Sequence, residues 1–113
     1  MHGLVNTLVI DDDPQQRHDL GVILNFMGEH HNALSSQDLT VSLWEQPWGV
    51  CLLGTITNTK KLTSIIEMLR VYPQIPVVAL TNHHELLAEL PNYIGDLKFP
   101  LHYNQLADAF RHC

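Results

Sequence analysis

A chain of 113 residues has room for one domain around one hydrophobic core, and 45% apolar with 16% charged residues is ordinary globular composition. Twelve acidic residues against six basic ones give a net charge of −6, and the basic residues are scattered from Arg17 to Arg111, which argues against direct nucleic-acid binding. No apolar run is long enough for a membrane span, no secretory leader is visible, and two cysteines, one of them the terminal Cys113, make no disulfide framework, so a reduced, cytoplasmic compartment is expected.

The chain is organised around Thr7, Leu8, Val9, Ile10, Asp11, Asp12, Asp13 and Pro14. Four apolar or β-branched residues without a polar break predict a strand buried on both faces, with the acids emerging at its carboxyl end, where α/β sheets build their sites. Asp13 before Pro14 predicts a helix start, because the carboxylate can cap free amides and Pro fits the first helical position. Asp11 and Asp12 are thereby held between strand and helix, where a divalent cation could sit. The helix should run from Pro14 to Met27, with Leu20, Ile23, Leu24 and Met27 along one face and Gly28 at its end.

Glu29 to Leu34 reads as a strand too polar for a sheet centre and hence at an edge. Ser35 to Gln46 reads as a helix with Leu39, Leu43 and Trp44 on one side. Pro47, Trp48 and Gly49 break the chain before a second apolar strand, Val50 to Leu53, that ends at Gly54. The loop Thr55 to Asn58 leads into an amphipathic helix whose Leu62, Ile65, Ile66 and Leu69 share a face, ending near Tyr72 and Pro73. Pro76 to Leu80 is a third buried strand. Asn82 and Glu85 resemble a capping box for a short helix closed by Pro91. Ile94 to Phe99 is the last strand, and Leu101 to His112 the last helix, packed through Leu106, Ala107 and Phe110. Five strands alternating with five helices predict an α/β domain with a parallel sheet covered on both faces.

Several residue types that often carry chemistry have plainer readings here. His30 with His31, and His83 with His84, are adjacent pairs, which diverge on a strand or by about 100° on a helix and so do not share a metal. Cys51, mid-strand among apolar neighbours, reads as a small buried hydrophobe and not as a nucleophile. Trp44 and Trp48 read as core residues flanking a turn.

Two carboxylates after strand one, Thr81 after strand four and an X-Pro after strand five together resemble the receiver domains of two-component response regulators. The resemblance spans the whole chain and implies a flavodoxin-like, three-layer fold with sheet order 2-1-3-4-5 and the site at the switch point between strands one and three. It narrows at the run from Asp19 to Glu29, at Leu52, Leu53 and Gly54, and at Tyr103, Asn104 and Leu106. There the chain resembles the amino-terminal domain of FleQ/FlrA-type master activators of flagellar genes, which work with sigma-54 RNA polymerase. The resemblance implies that this chain is an amino-terminal fragment, residues 1–113 forming the receiver-like regulatory domain ahead of an ATPase domain and a helix-turn-helix. ATP, cyclic di-GMP and DNA binding would belong to those other domains. A MinD-like antagonist ATPase would be a partner of the whole protein, and self-association as a homodimer is expected of this domain.

A receiver takes phosphate on a carboxylate at the end of strand three, beside a cation held by the acid pair, a Ser or Thr after strand four and a Lys before the proline after strand five, each balancing phosphoryl charge. In this chain Asp11 and Asp12 match the acid pair and Thr81 the hydroxyl. The acceptor position falls on Gly54, which has no side chain, and the position before Pro100 falls on Phe99. Lys98 lies one residue early and, by strand alternation, should point away. Gly95 and Asp96 stand where receivers keep a switch aromatic. Asp13 could accept phosphate in place of Gly54 only by giving up its capping role. The expectation is a degenerate phosphoacceptor pocket of Asp11, Asp12, Gly54, Thr81 and Phe99, with no catalytic residue, the acids acting mainly as caps and at most weak magnesium binding through Asp11 and Asp12. The function expected is therefore regulation by protein contact without phosphorylation. The rivals are a working phosphoacceptor module driven by a histidine kinase, and a small-ligand binder using the acidic crevice.

Overall fold

The computed structural model describes residues 6–80 and 84–97. Five parallel strands form one sheet in the order β2-β1-β3-β4-β5, with β1 Asn6–Ile10, β2 His30–Leu34, β3 Val50–Leu53, β4 Val77–Ala79 and β5 Tyr93–Asp96. Leu8, Val9 and Ile10 of β1 and all four residues of β3 are fully buried, as an apolar strand in the middle of a covered sheet must be. Alternation along these strands sends their side chains into two cores. Leu8, Ile10, Cys51, Leu53, Val77 and Ala79 join one; Val9, Val50, Leu52 and Val78 join the other.

The second core is closed by helix α1, Pro14–Phe26, through Leu20 and Leu24, with Ile23 and Met27 partly buried beside them. Asp13 caps it, its Oδ1 accepting from the amides of Gln15 at 3.0 Å and Gln16 at 3.3 Å. Gly28, at φ +76°, turns the chain out of the helix into β2, a conformation that a side chain would oppose. The first core is closed by α2, Thr59–Val71, through Leu62, Ile65, Ile66 and Leu69. Each such buried aliphatic side chain contributes about 1.5–3 kcal/mol. Asn58 caps α2 by accepting from the amides of Lys60 and Lys61.

The helix expected over Ser35 to Gln46 is absent. Two 3₁₀ turns, Ser36–Asp38 and Val41–Glu45, replace it, separated by extended backbone at Leu39 and Thr40. Local competition explains the difference. The Ser36 amide and hydroxyl are drawn to Asp12, and Ser35 Oγ donates to Asp38. Thr40 and Val41 are β-branched, and Gln46 is held extended before Pro47. Leu43 and Trp44 are both buried in the second turn, and Trp48 Nε1 donates to the Leu43 carbonyl at 2.7 Å. Both tryptophans are thus core residues.

The third helix, α3, covers only His84–Leu87 and adds Leu87 to the first core. Among the described residues there are therefore three α-helices and not five. The expected last helix, and the cap at Asn82, lie outside the described residues. The register between β4 and β5 slips after Val77, which pairs with Tyr93 while Val78 pairs with Gly95, at φ +149°, and the Tyr93 hydroxyl bonds the Asp96 carboxylate. Buried Asn92 ties the end of α2 to the sheet by donating to the carbonyls of Leu69 at 3.2 Å and Ile75 at 2.7 Å.

Candidate functional site

The register Ile10↔Leu53 carries the chain just beyond β1 and β3 to the same level, so Asp11 arrives beside Gly54. The end of β1 then splits between its neighbours. The Asp11 amide donates to Leu34 O of β2 at 2.9 Å, whereas the Asp12 amide donates to Thr55 O, beyond β3, at 2.7 Å. This alternation leaves Asp11 fully buried on the crevice floor and Asp12 half-buried on its rim.

Asp11 leans into the space where a side chain at position 54 would begin. An ideal Cβ on Gly54 would lie 3.0 Å from Asp11 Cβ and well inside contact distance of its carboxylate carbon and Oδ2. Gln16 Nε2 donates to that Oδ2, the Asp13 amide donates to Oδ1 at 2.9 Å, and Arg17 Nη1 holds the Asp11 carbonyl at 2.7 Å. Burial pushes the Asp11 carboxyl above the ordinary carboxylate range, more than these hydrogen bonds offset, and Asp13 adds a like charge in the same direction.

Asp12 has the opposite surroundings. Its Oδ1 accepts from Ser36 N at 2.7 Å, and its Oδ2 accepts from Ser36 Oγ at 3.0 Å, Thr57 N at 2.9 Å and Thr57 Oγ1 at 3.2 Å. One carboxylate therefore ties the loop after β2 to the loop after β3. Burial alone would raise its pKa, but the donors of Thr57 and Ser36 outweigh burial and hold it below the ordinary value.

Every carboxylate oxygen of the acid pair thus already accepts at least one bond from the protein, Asp12 Oδ2 accepts three, and Gly54 has no side chain to add a ligand. Magnesium needs an octahedral shell with carboxylate oxygens turned to it, and these residues fit it poorly. Among the described residues no three His, Cys, Asp or Glu side chains gather as a metal site. Cys51 is fully buried, and burial pushes its thiol up to about 12, which leaves it without thiolate character. Of the residues expected in the pocket, Asp11, Asp12 and Gly54 are brought together. Thr81 and Phe99, with Lys98, lie outside the described residues.

Sequence reasoning missed Gln16, Ser36 and Thr57, which hold the two acids. The signal was modest but present: a polar side chain one turn into the helix, and a Ser and a Thr just past strand ends that meet at the same sheet edge.

A doubly wound parallel sheet with an acid pair after β1 defines a receiver-like domain. The sequence model of the flagellar regulatory protein FleQ matches residues 6–113, and the chain belongs to that family. It is a receiver-like regulatory domain of the flagellar regulator type. No curated protein sequence matches the chain. Solved structures share the fold. The chemotaxis protein CheY4 of Vibrio cholerae is 13% identical with a TM-score of 0.77, over 97% of this chain and 98% of that one. A response regulator receiver domain from Clostridium thermocellum is 20% identical with a TM-score of 0.76, over 96% and 93%. The receiver domain of a sensor histidine kinase from Pseudomonas aeruginosa PAO1, solved with a magnesium ion coordinated in its active-site cleft, is 16% identical with a TM-score of 0.76, over 97% of each chain.

Proposed function

We propose that this domain regulates by protein contact, without phosphorylation, as the amino-terminal part of a sigma-54-dependent activator of flagellar genes. The observation that carries the reading is Gly54 at the acceptor position with the Asp11 carboxylate filling the space an acceptor would need. Phosphoryl transfer depends on a positioned nucleophile and on cations that balance the charge of the transferred group. Here the nucleophile is missing and the two acids are engaged as structural acceptors. The domain itself is not an enzyme in this reading. ATP and cyclic di-GMP would bind the attached ATPase domain, and this domain would set that domain's assembly through packing and self-association. Sigma-54 RNA polymerase and a MinD-like antagonist ATPase would meet the full-length protein in the cytoplasm. No helix among the described residues is long and apolar enough to cross a membrane.

The test is incubation with acetyl phosphate and magnesium followed by intact-mass measurement, alongside thermal melting with magnesium and beryllofluoride. No mass increase and an unchanged midpoint are expected. A phosphoryl adduct, or a rise matching the ~2.7 kcal/mol given by a ligand at a hundredfold its Kd, would replace this reading with a working phosphoacceptor.

A further inference from the structure

A second hollow, of about 430 Å³, opens between α1 and the sheet-edge strand β2, away from the acid crevice. Arg17, His18 and Asn25 of α1 and His31 of β2 stand around it, over a floor that includes Gly21 and Ala33. No carboxylate lines it, although acids outnumber Lys and Arg twelve to six in the chain.

Its polar groups do not satisfy one another. Arg17 spends Nη1 on the Asp11 carbonyl, which orients the guanidinium, and makes no ion pair among the described residues. The rings of His18 and His31 and the amide of Asn25 have no hydrogen-bond partner among them either. A Cβ at Gly21 would stand 3.4 Å from His31 Nε2, so this ring nitrogen lies close over the α1 backbone on the floor of the hollow.

We propose that this hollow binds the phosphate group of a small phosphomonoester. An oriented guanidinium offers a planar fork of donors, and the neighbouring imidazoles of His18 and His31 can add N–H donors to a tetrahedral oxyanion. Pro14 and Val22 give the rim an apolar side for the organic part, and the volume suits a small ligand. The hollow leaves out the acid pair itself, adjoins it through Arg17, and does not depend on whether the domain is phosphorylated. Because Arg17 also holds Asp11, an occupied hollow would bear on the crevice floor.

The experiment is a ¹⁵N amide titration of the chain with inorganic phosphate, adenosine monophosphate and adenosine at matched ionic strength. Saturable shifts at Arg17, Gly21 and His31 are expected with the two phosphate-bearing probes and not with adenosine. Binding should be at least fivefold tighter for the monophosphate than for inorganic phosphate. His18→Gln combined with His31→Gln should weaken it about tenfold with the melting midpoint unchanged. Absence of saturable shifts at these residues, equal shifts with adenosine, or unaltered affinity in the folded double variant would overturn the proposal. Equal affinity for the two phosphate probes would overturn the organic part and leave a bare phosphate site.

Discussion

The floor and the rim of the crevice hold neighbouring residues of one type in opposite states. Asp11 on the floor is fully buried with a carboxyl held above its ordinary range, and Asp12 on the rim is tied by Ser36 and Thr57 and held below it. The difference comes from the backbone, which alternates its hydrogen bonds between β2 and the loop after β3 and so turns one carboxylate inward and the next toward two loop amides. Identity of residue type in a motif therefore says little about chemistry. What a carboxylate can do depends on the donors left to face it.

The strongest way to break the comparison is Gly54→Asp. The new side chain would collide with the Asp11 carboxylate and place a third acid on the floor, so a loss of about 2–3 kcal/mol is expected in metal-free buffer. Chemical denaturation with and without magnesium measures it. Magnesium should recover part of the loss, and adding Asp11→Ala should recover more than the two single changes predict by sum, because the residues share one space. Phosphate-dependent switching should not return with the single change.

Asp12→Asn tests the rim. An amide can accept from one loop only and turns its NH₂ toward donors of the other, so a loss of about 1–2 kcal/mol is expected at neutral pH. The loss should shrink on acidification. Asp12 is held below its ordinary value of 3.8, so its contribution is present above that value and fades as pH falls through the folded-state pKa.

Asp11→Asn should have the smallest effect and the opposite sign. The folded chain raises this pKa above 3.8, so Asp11 favours folding most when protonated, and that advantage is lost as pH rises from the unfolded value through the folded one. A neutral isostere, with Gln16 turned to offer its oxygen, should gain about 1 kcal/mol or less at neutral pH and nothing in acid. Paired melting curves at neutral and acidic pH distinguish the two acids by the sign of the change alone.

Much of the fold was legible because its central strands are unbroken apolar runs and its helices carry clear signals. Leu62, Ile65, Ile66 and Leu69 are buried as their spacing predicts, and Asp13 with Pro14 starts α1. The segment from Ser35 to Gln46 was not legible, because its apolar residues fit a helical stripe while Asp12, distant in sequence, claims Ser36. Glycine at position 54 could be read from spacing. That Asp11 fills the vacated volume could not, since the lean of one side chain follows from Gln16 and from packing.

The most direct test of the crevice as a saturated, contact-bearing structure is a ¹⁵N amide spectrum recorded through a magnesium titration in the presence of beryllofluoride. If Ser36 and Thr57 amides remain bonded to Asp12 and no cation enters beside Asp11, the resonances of Asp12, Ser36, Gly54 and Thr57 stay in place through millimolar magnesium. A saturable, joint shift of these four amides at submillimolar magnesium would show the acids releasing their loops to a cation and a phosphoryl analogue, and would contradict the account.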